Sequence, residues 1–274
     1  MQSGKRKLIV FTDLDGCLLN KHDYDWSAAA GTLQELRRRA IPVVLNSSKT
    51  VAEMRELSSE LGLDGQTIVS ENGGAICWGK EVPKLAGSVE VIGSFRRDIV
   101  RLLGTLKDRY LFRSFEDMGL DGVMEETQLP RHRASLAMQR ESTEPLIWED
   151  TNQAREDFES VLHLHGFHLT KGGRFWHVAG DASKGTAMQK VTSEFLRQSL
   201  LSSPQEILLT AAVGDSPIDQ SMLDVADVPI GIPTDRGLGV RIDARRGIAA
   251  TLVGAAGWAE AVTRLLREFD EPSG

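Results

Sequence analysis

The chain has 274 residues, of which 41% are hydrophobic and 26% are charged. This composition is that of a globular protein, and it excludes a disordered, collagen-like or low-complexity chain. The formal net charge of -7 argues against general affinity for nucleic acid or anionic membranes, because both kinds of binding depend on clustered Lys and Arg.

The cysteines and the amino-terminal region bear on the compartment. Cys17 and Cys77 are too few for a disulfide framework or a thiolate zinc site. The apolar run at residues 8–11 is too short for a secretory signal or a membrane span. We therefore expect a cytoplasmic protein whose partner is a small molecule rather than nucleic acid or a membrane, and a homodimer is left open.

The first third of the chain predicts strands that alternate with helices. Strands are expected at residues 8–11, 41–45 and 66–70, with helices at 26–40 and from 51 to about 61. Thr50 and Glu53 form a candidate capping box before the second helix, and Gly62 is a candidate stop. This βαβαβ order predicts an α/β fold, in which a parallel sheet is covered by helices on both faces.

The pattern changes after Glu71-Asn72-Gly73-Gly74. From there to about Gly180 the sequence mixes hairpin-like and helical pieces, which indicates an insertion. The alternation then resumes with a predicted helix at residues 183–201 and a strand at 207–213. A further helix is expected at about residues 218–226, so the core is built from both ends of the chain.

Polar residues follow several of the predicted strands. Asp13 and Asp15 come after the first strand, Ser47 after the second, and Asp215 after the strand at residues 207–213. Lys184 stands at the start of a helix. In open α/β sheets, ligands bind at the carboxyl ends of the strands, so we expect Asp13, Ser47 and Asp215 to meet in one crevice.

This set of residues predicts phosphate chemistry. One of two paired carboxylates can attack phosphorus and form an aspartyl phosphate, while the other protonates the leaving alkoxide and later deprotonates water. Mg²⁺ is the cofactor that fits best, because several aspartates and a phosphate need an opposing charge. Ser47 is expected to offer its hydroxyl and backbone amide to phosphate oxygens, and Lys184 its ammonium at a helix amino terminus.

Competing motifs are not supported. An EF-hand loop from Asp13 would need other residue types at Cys17, Leu18 and Tyr24. The run Ser183-Lys184-Gly185-Thr186 is not a Walker loop, and no GxGxxG follows the first strand. The histidines at 163, 165 and 168 are better explained by ordinary burial or exposure than by metal binding.

Four ordered motifs resemble those of haloacid dehalogenase-like hydrolases, and the likeness spans nearly the whole chain. These motifs are Phe11-Thr12-Asp13-Leu14-Asp15-Gly16, Asn46-Ser47-Ser48-Lys49-Thr50, Lys184 and Gly214-Asp215-Ser216-Pro217-Ile218-Asp219. Four sequence segments more specifically resemble those of mannosyl-3-phosphoglycerate phosphatases: residues 47–50, 71–74, 143–148 and 173–177.

The resemblance implies a fold and an activity. The fold would be a Rossmann-like parallel-sheet core, residues 1–81 and 181–274, with an inserted α+β C2-type cap at residues 82–180. The activity would be a Mg²⁺-dependent phosphatase acting on mannosyl-3-phosphoglycerate through an aspartyl phosphate. Its product would be mannosylglycerate, a compatible solute.

The resemblance also assigns roles to the core residues. Asp13 would be the nucleophile and Asp15 the general acid and base. Mg²⁺ would be held by a carboxylate oxygen of Asp13, the backbone carbonyl of Asp15 and Asp215, with Asp219 near or in the outer shell. The phosphoryl group would be held by Ser47 and Lys184.

Two departures from the family pattern leave alternatives open. Cys17 stands where the family commonly has Thr, and Ile218 where it commonly has Asn. The second removes a polar group near the metal, and it is the hint for a non-catalytic sensor of phosphorylated ligands. The other alternative is a related phosphatase acting on glucosyl-3-phosphoglycerate or on sucrose, trehalose or hexose phosphates.

Residues of the insertion are expected to recognise the rest of the substrate. A carboxylate favours a bidentate guanidinium, so Arg140 and Arg174 are the candidates for the glycerate carboxylate. Glu144 or His177 could exchange hydrogen bonds with sugar hydroxyls. The alternative is that both arginines are exposed and pair with the nearby acidic residues 141 or 181, which would contribute little.

Overall fold

The computed structural model describes residues 6–202 and 207–271. Its strands are β1 (Arg6–Thr12), β2 (Val43–Asn46), β3 (Ile68–Ser70), β4 (Ala75–Cys77), β5 (Val89–Val91), β6 (Phe112–Ser114), β7 (Thr143–Trp148), β8 (His168–Lys171), β9 (Trp176–Ala179), β10 (Ile207–Gly214), β11 (Val228–Gly231), β12 (Pro233–Thr234), β13 (Gly237–Leu238) and β14 (Ile248–Ala249). Its helices are α1 (Ala30–Arg38), α2 (Val51–Glu60), α3 (Arg96–Leu106), α4 (Phe115–Thr127), α5 (Arg131–Ala137), α6 (Asn152–Leu164), α7 (Lys184–Ser202), α8 (Gln220–Val225) and α9 (Gly254–Asp270). Within these two ranges no helix is both long and apolar enough to cross a bilayer.

The larger sheet has eight strands in the order β14-β11-β10-β1-β2-β3-β4-β5. The strands from β14 to β3 are parallel, whereas β4 and β5 pair antiparallel at one edge. The predicted α/β fold with a parallel sheet is thus confirmed. Strand β1 lies between β10 and β2, which brings the carboxyl ends of these three strands together.

The central strand β1 is apolar from residue 8 to residue 11 because both of its faces are buried there. Leu8 and Val10 pack into one core with α1, α2 and α9, while Ile9 and Phe11 pack into a second core with α7 and α8. This alternation follows the two-residue repeat of a strand. A continuous apolar run rather than an alternating one is therefore the expected pattern for β1.

The predicted helix boundaries agree with the structure to within a few residues. The capping box before α2 is confirmed, because the Thr50 hydroxyl accepts from the Glu53 amide (3.1 Å) and the Glu53 carboxylate accepts from the Thr50 amide (2.8 Å). Gly62 follows α2 with a φ of 67°. The helices predicted at residues 26–40 and 218–226 each begin with a short 3-10 turn, Ser27–Ala29 and Pro217–Asp219 respectively.

The inserted region contains a second, antiparallel sheet in the order β6-β7-β9-β8. Helices α3 and α6 pack on this sheet through a separate core, and a smaller apolar cluster joins α4 to α5. Strand β5 lies within the range 82–180 yet pairs with β4 in the larger sheet. The exact cap boundaries at 82 and 180 stay a prediction.

Candidate active site

The strand ends bring together most of the residues that the sequence singled out. Asp13 follows β1, and its amide donates to the carbonyl of Val213 in β10 (2.9 Å). Lys184 is the first residue of α7, and its ammonium contacts Asp13 Oδ1 at 2.7 Å and Asp219 Oδ1 at 2.5 Å. Four of the candidates therefore lie in one crevice, since Asp215 also adjoins Asp13.

Lys184 and Asp219 form the buried floor of the crevice, with side chains 1% and 0% exposed. The second oxygen of Asp219 accepts from the amides of Asp215 (3.2 Å) and Ser216 (3.0 Å) and from the Ser216 hydroxyl (2.7 Å). Both oxygens of Asp219 are thus used within the protein. This favours a place in the outer shell of a metal site for Asp219, where it holds Lys184 and the turn after β10.

A candidate metal site lies beside this floor. Ligand atoms of Asp13, Asp215 and Cys17 lie within 4.8 Å of one another, and all three residues are buried. Gly16 has a φ of 89°, and a Cβ at that position would lie 2.6 Å from Asp215 Oδ2. Burial raises the pKa of the Cys17 thiol well above its usual value, so the thiol is protonated in the metal-free protein. The remaining donors are hard carboxylate oxygens, which suit Mg²⁺.

The charges of the crevice also favour a cation. Burial raises the pKa of Asp13 to about 7 against the lowering effect of Lys184, and the Asp219 charge adds to the rise. Burial and Asp219 likewise raise the pKa of Asp215 to about 6. One ammonium does not balance three carboxylates, so a divalent cation would stabilise the ionised forms of Asp13 and Asp215.

Asp15 and Ser47 follow β1 and β2, two strands that are neighbours in the sheet. The Lys49 ammonium donates to Asp15 Oδ2 (2.8 Å), and Asp15 Oδ1 is buried without a hydrogen-bond partner among the described residues. The Ser47 amide donates to the carbonyl of Val69 (3.1 Å), so the prediction that this amide binds phosphate is wrong. Strand pairing consumes the amide, and the Ser47 hydroxyl remains the candidate phosphate ligand.

The Asp13 segment is supported from behind by helix α9. Trp258 of this helix is fully buried, and its indole N–H donates to the Thr12 hydroxyl (2.9 Å). The Thr12 hydroxyl in turn donates to the backbone carbonyl of Asp13 (2.7 Å). The tryptophan thus has both a packing role and a polar one.

The turn at residues 71–74 joins the Ser47 segment to the insertion, a role that the sequence reasoning missed. The amides of Glu71 and Asn72 donate to the carbonyls of Lys49 (3.0 Å) and Ser47 (2.9 Å). Both turn residues have left-handed backbones, with φ of 53° and 57°, a conformation uncommon outside glycine.

The Glu71 carboxylate accepts hydrogen bonds from the amides of Glu141 and Ser142 and from the Thr143 hydroxyl. The sequence signal that could have indicated this role is the pair of polar residues Glu71 and Asn72 directly before two glycines.

Arg140 crosses from the insertion to the core. Its side chain is 6% exposed, and its guanidinium lies 3.5 Å from the Glu71 carboxylate. The alternative of an exposed arginine paired with Glu141 or Asp181 is therefore wrong for Arg140. Its guanidinium donates to the Ser48 carbonyl (2.9 Å) and to the Thr143 hydroxyl (2.7 Å). Arg140 is thus engaged within the protein, where it fastens the insertion to the turn after β2.

The other predicted cap residues differ in their surroundings. Glu144 is fully buried, and its carboxylate accepts from the Arg96 guanidinium (2.6 Å) and the Glu116 amide (2.8 Å), which gives it a structural role. His177 lies on β9, where burial and the Arg140 charge lower its pKa to about 3, so the imidazole is neutral. Arg174 is exposed in the turn between β8 and β9. Arg174 and His177 therefore remain available as substrate ligands.

Comparisons with known proteins agree with this geometry. A family model described as haloacid dehalogenase-like hydrolase matches residues 10–101. A glucosyl-3-phosphoglycerate/mannosyl-3-phosphoglycerate phosphatase of Persephonella marina is 34% identical over 272 residues, covering 96% of this chain and 98% of that protein.

Two solved structures are similar over almost their whole length. A haloacid dehalogenase-like hydrolase from Bacteroides thetaiotaomicron has a TM-score of 0.66 and 19% identity, covering 95% of this chain and 100% of that chain. A Thermoplasma acidophilum protein has a TM-score of 0.65 and 17% identity, covering 97% and 99% respectively. These two matches show the fold, a Rossmann-like core with an inserted cap. The chain belongs to the haloacid dehalogenase-like hydrolases and, within them, to the phosphatase family that the P. marina protein represents.

Proposed function

We propose that the protein is a Mg²⁺-dependent phosphatase that hydrolyses mannosyl-3-phosphoglycerate to mannosylglycerate and phosphate. The observation that carries the proposal is the buried Asp13 carboxylate, held by Lys184 next to Asp215. The substrate class is supported by the name of the P. marina relative, which covers both the mannosyl and the glucosyl compound. A cytoplasmic role in forming a compatible solute is part of this proposal.

The donor set described above fits Mg²⁺. Asp13 and Asp215 would hold the ion through carboxylate oxygens, together with the backbone carbonyl of Asp15. When bound, the ion would offset the charge of the phosphate dianion and stabilise the charge that develops on its oxygens.

The protein groups divide the chemistry between them. The Asp13 carboxylate attacks phosphorus, and the ammonium of Lys184 fixes that carboxylate and offers positive charge to the phosphoryl oxygens. Asp15 gives a proton to the leaving alkoxide and later takes one from the water that hydrolyses the aspartyl phosphate. The Ser47 hydroxyl donates to a phosphoryl oxygen.

The sensor alternative receives no support from the structure. The Ile218 side chain is 39% exposed, and the polar contacts of its turn are made by Ser216 and Asp219. Among the described residues, no buried side-chain oxygen or nitrogen of this turn lacks a hydrogen-bond partner. Catalysis is the function that the retained Asp13, Lys184 and Asp215 favour.

A panel of substrates tests the proposal. With Mg²⁺ present, kcat/KM for mannosyl- and glucosyl-3-phosphoglycerate should exceed that for sucrose, trehalose and hexose phosphates by at least about tenfold, or about 1.4 kcal/mol. The Asp13→Asn variant serves as the inactive control. A higher kcat/KM for a hexose phosphate would contradict the assignment of mannosyl-3-phosphoglycerate as the substrate. Tight binding of a phosphorylated ligand without turnover would favour the sensor function.

A further inference from the structure

Lys49 is a largely buried cation for which the mechanism above has no use. Its ammonium lies 2.8 Å from Asp15 Oδ2, and its side chain is 21% exposed. The ring of Tyr24 covers the ammonium at 5.3 Å from the ring centroid. Burial works to lower the pKa of Lys49, but the Asp15 charge and hydrogen bond outweigh it, so the pKa is raised and the lysine stays charged.

The backbone of Lys49 is fixed as well. Its carbonyl accepts from the Glu71 amide (3.0 Å), and the next residue, Thr50, caps α2. The side chain therefore projects from a segment that hydrogen bonds hold at both ends. Such a donor can hold its acceptor in one place with little further loss of side-chain freedom.

The two oxygens of Asp15 are consequently unequal. Oδ2 is anchored by Lys49, whereas Oδ1 is buried and has no partner in the described parts of the chain. Building on the proposed function, we propose that Lys49 is a positioning residue, which anchors Oδ2 so that Oδ1 is the atom that exchanges a proton with the leaving group. The unpaired Oδ1 is explained by this role, because a buried acceptor without a partner costs free energy unless a ligand satisfies it.

The role has a consequence for the first chemical step. A carboxylate oxygen of Asp13 forms a bond to phosphorus while the bond from phosphorus to the leaving oxygen breaks. The electron pair stays on the leaving oxygen, which takes the proton from Asp15 Oδ1. A glycerate alkoxide is a strong base and needs this proton, whereas p-nitrophenolate is a weak base and leaves without it.

Leaving-group dependence therefore tests the role of Lys49. The Lys49→Gln and Lys49→Met variants should lower kcat/KM for mannosyl-3-phosphoglycerate by at least about thirtyfold, since general acid catalysis contributes about 10²–10⁴. The same variants should change kcat/KM for p-nitrophenyl phosphate by less than about threefold, because kcat/KM reports only the steps up to phosphoryl transfer. Lys49→Arg, which keeps the charge, should restore most of the lost rate.

The controls separate this inference from the function on which it rests. Lys190→Met removes an ion pair of similar length, 2.6 Å to Glu90, at an exposed site, and should leave both activities unchanged. Asp15→Asn should show the same selective loss of kcat/KM for mannosyl-3-phosphoglycerate as Lys49→Gln. If Asp15→Asn shows no such loss, Asp15 is not the general acid. The inference about Lys49 alone would be overturned if Asp15→Asn loses activity selectively but a folded Lys49 variant does not. Such a variant would either lose activity on both substrates in parallel or lose neither. Melting temperatures identify which variants are folded.

Discussion

Replacing Lys184 by Met should destabilise the metal-free protein, and the penalty should depend on pH. The substitution keeps the length of the side chain but removes the ammonium that contacts Asp13 and Asp219 at 2.7 and 2.5 Å. The Asp13 and Asp219 side chains are only 11% and 0% exposed, so water replaces the lost partner poorly. The variant therefore leaves uncompensated charge in the interior.

The size of the penalty follows from these contacts. Breaking a buried ion pair by removing one partner costs about 3–5 kcal/mol. Asp219 keeps the three other hydrogen bonds to its second oxygen, which places the expected loss near the lower end, at about 3 kcal/mol. Asp13 keeps no comparable set of donors, but it can take up a proton.

The sign of the pH dependence comes from Asp13. Its folded-state pKa of about 7 is already above the ordinary value of 3.8, and loss of Lys184 raises it further. The penalty from a charged Asp13 is fully present above the raised pKa of the variant. It falls as the pH drops toward 7, because the carboxyl is then protonated in both folded proteins. The difference in unfolding free energy should thus shrink from about pH 8.5 to about pH 6.

Urea unfolding of the metal-free proteins at these two pH values measures the difference. Lys190→Met is the matched control, and the exposed pair that it removes should change the unfolding free energy by less than about 1 kcal/mol. A Lys184→Met penalty that stays constant, or grows at the lower pH, would show that Asp13 is not the group left charged.

Three further predictions concern activity. Asp13→Asn should reduce kcat by about 10³ or more with little change in melting temperature, and retention of a tenth of kcat would contradict the nucleophile. EDTA should abolish turnover and Mg²⁺ restore it, whereas Ca²⁺ should inhibit because of its looser coordination; full activity after chelation would contradict the metal site. Arg174→Ala should raise KM for the phosphoglycerate ester by about tenfold and leave the hydrolysis of p-nitrophenyl phosphate unchanged. Arg140→Ala removes contacts to Ser48 and Glu71, so it should lower the activity on both substrates together.

The sequence was most informative where structure follows from a local pattern. The apolar run before Asp13 and the capping box at Thr50 and Glu53 are each defined by neighbours in the chain, and the structure contains both. The contact of Arg140 with Ser48 joins residues 92 positions apart, and it depends on how the insertion packs on the core. Periodicity carries no information about such a contact, which is why the role of Arg140 was predicted differently.

The same limit explains Lys49 and Glu71. Both lie in segments that resemble the family motifs, yet their partners could not be deduced from spacing. Lys49 reaches Asp15 across 34 positions, and Glu71 reaches Thr143 across 72. Charge alone would have allowed each of them several other partners. Only the packed structure selects among these pairings.

The hydrogen bond from Trp258 to Thr12 makes the support of the Asp13 segment depend on a helix that is synthesised much later. The indole that supports the segment carrying Asp13 belongs to α9 and is synthesised 246 residues after Thr12. A nascent chain that still lacks α9 would expose the apolar face of β1 and leave the Thr12 hydroxyl without its donor. A ribosome-bound chain should therefore be unable to act on phosphorylated metabolites until α9 has docked.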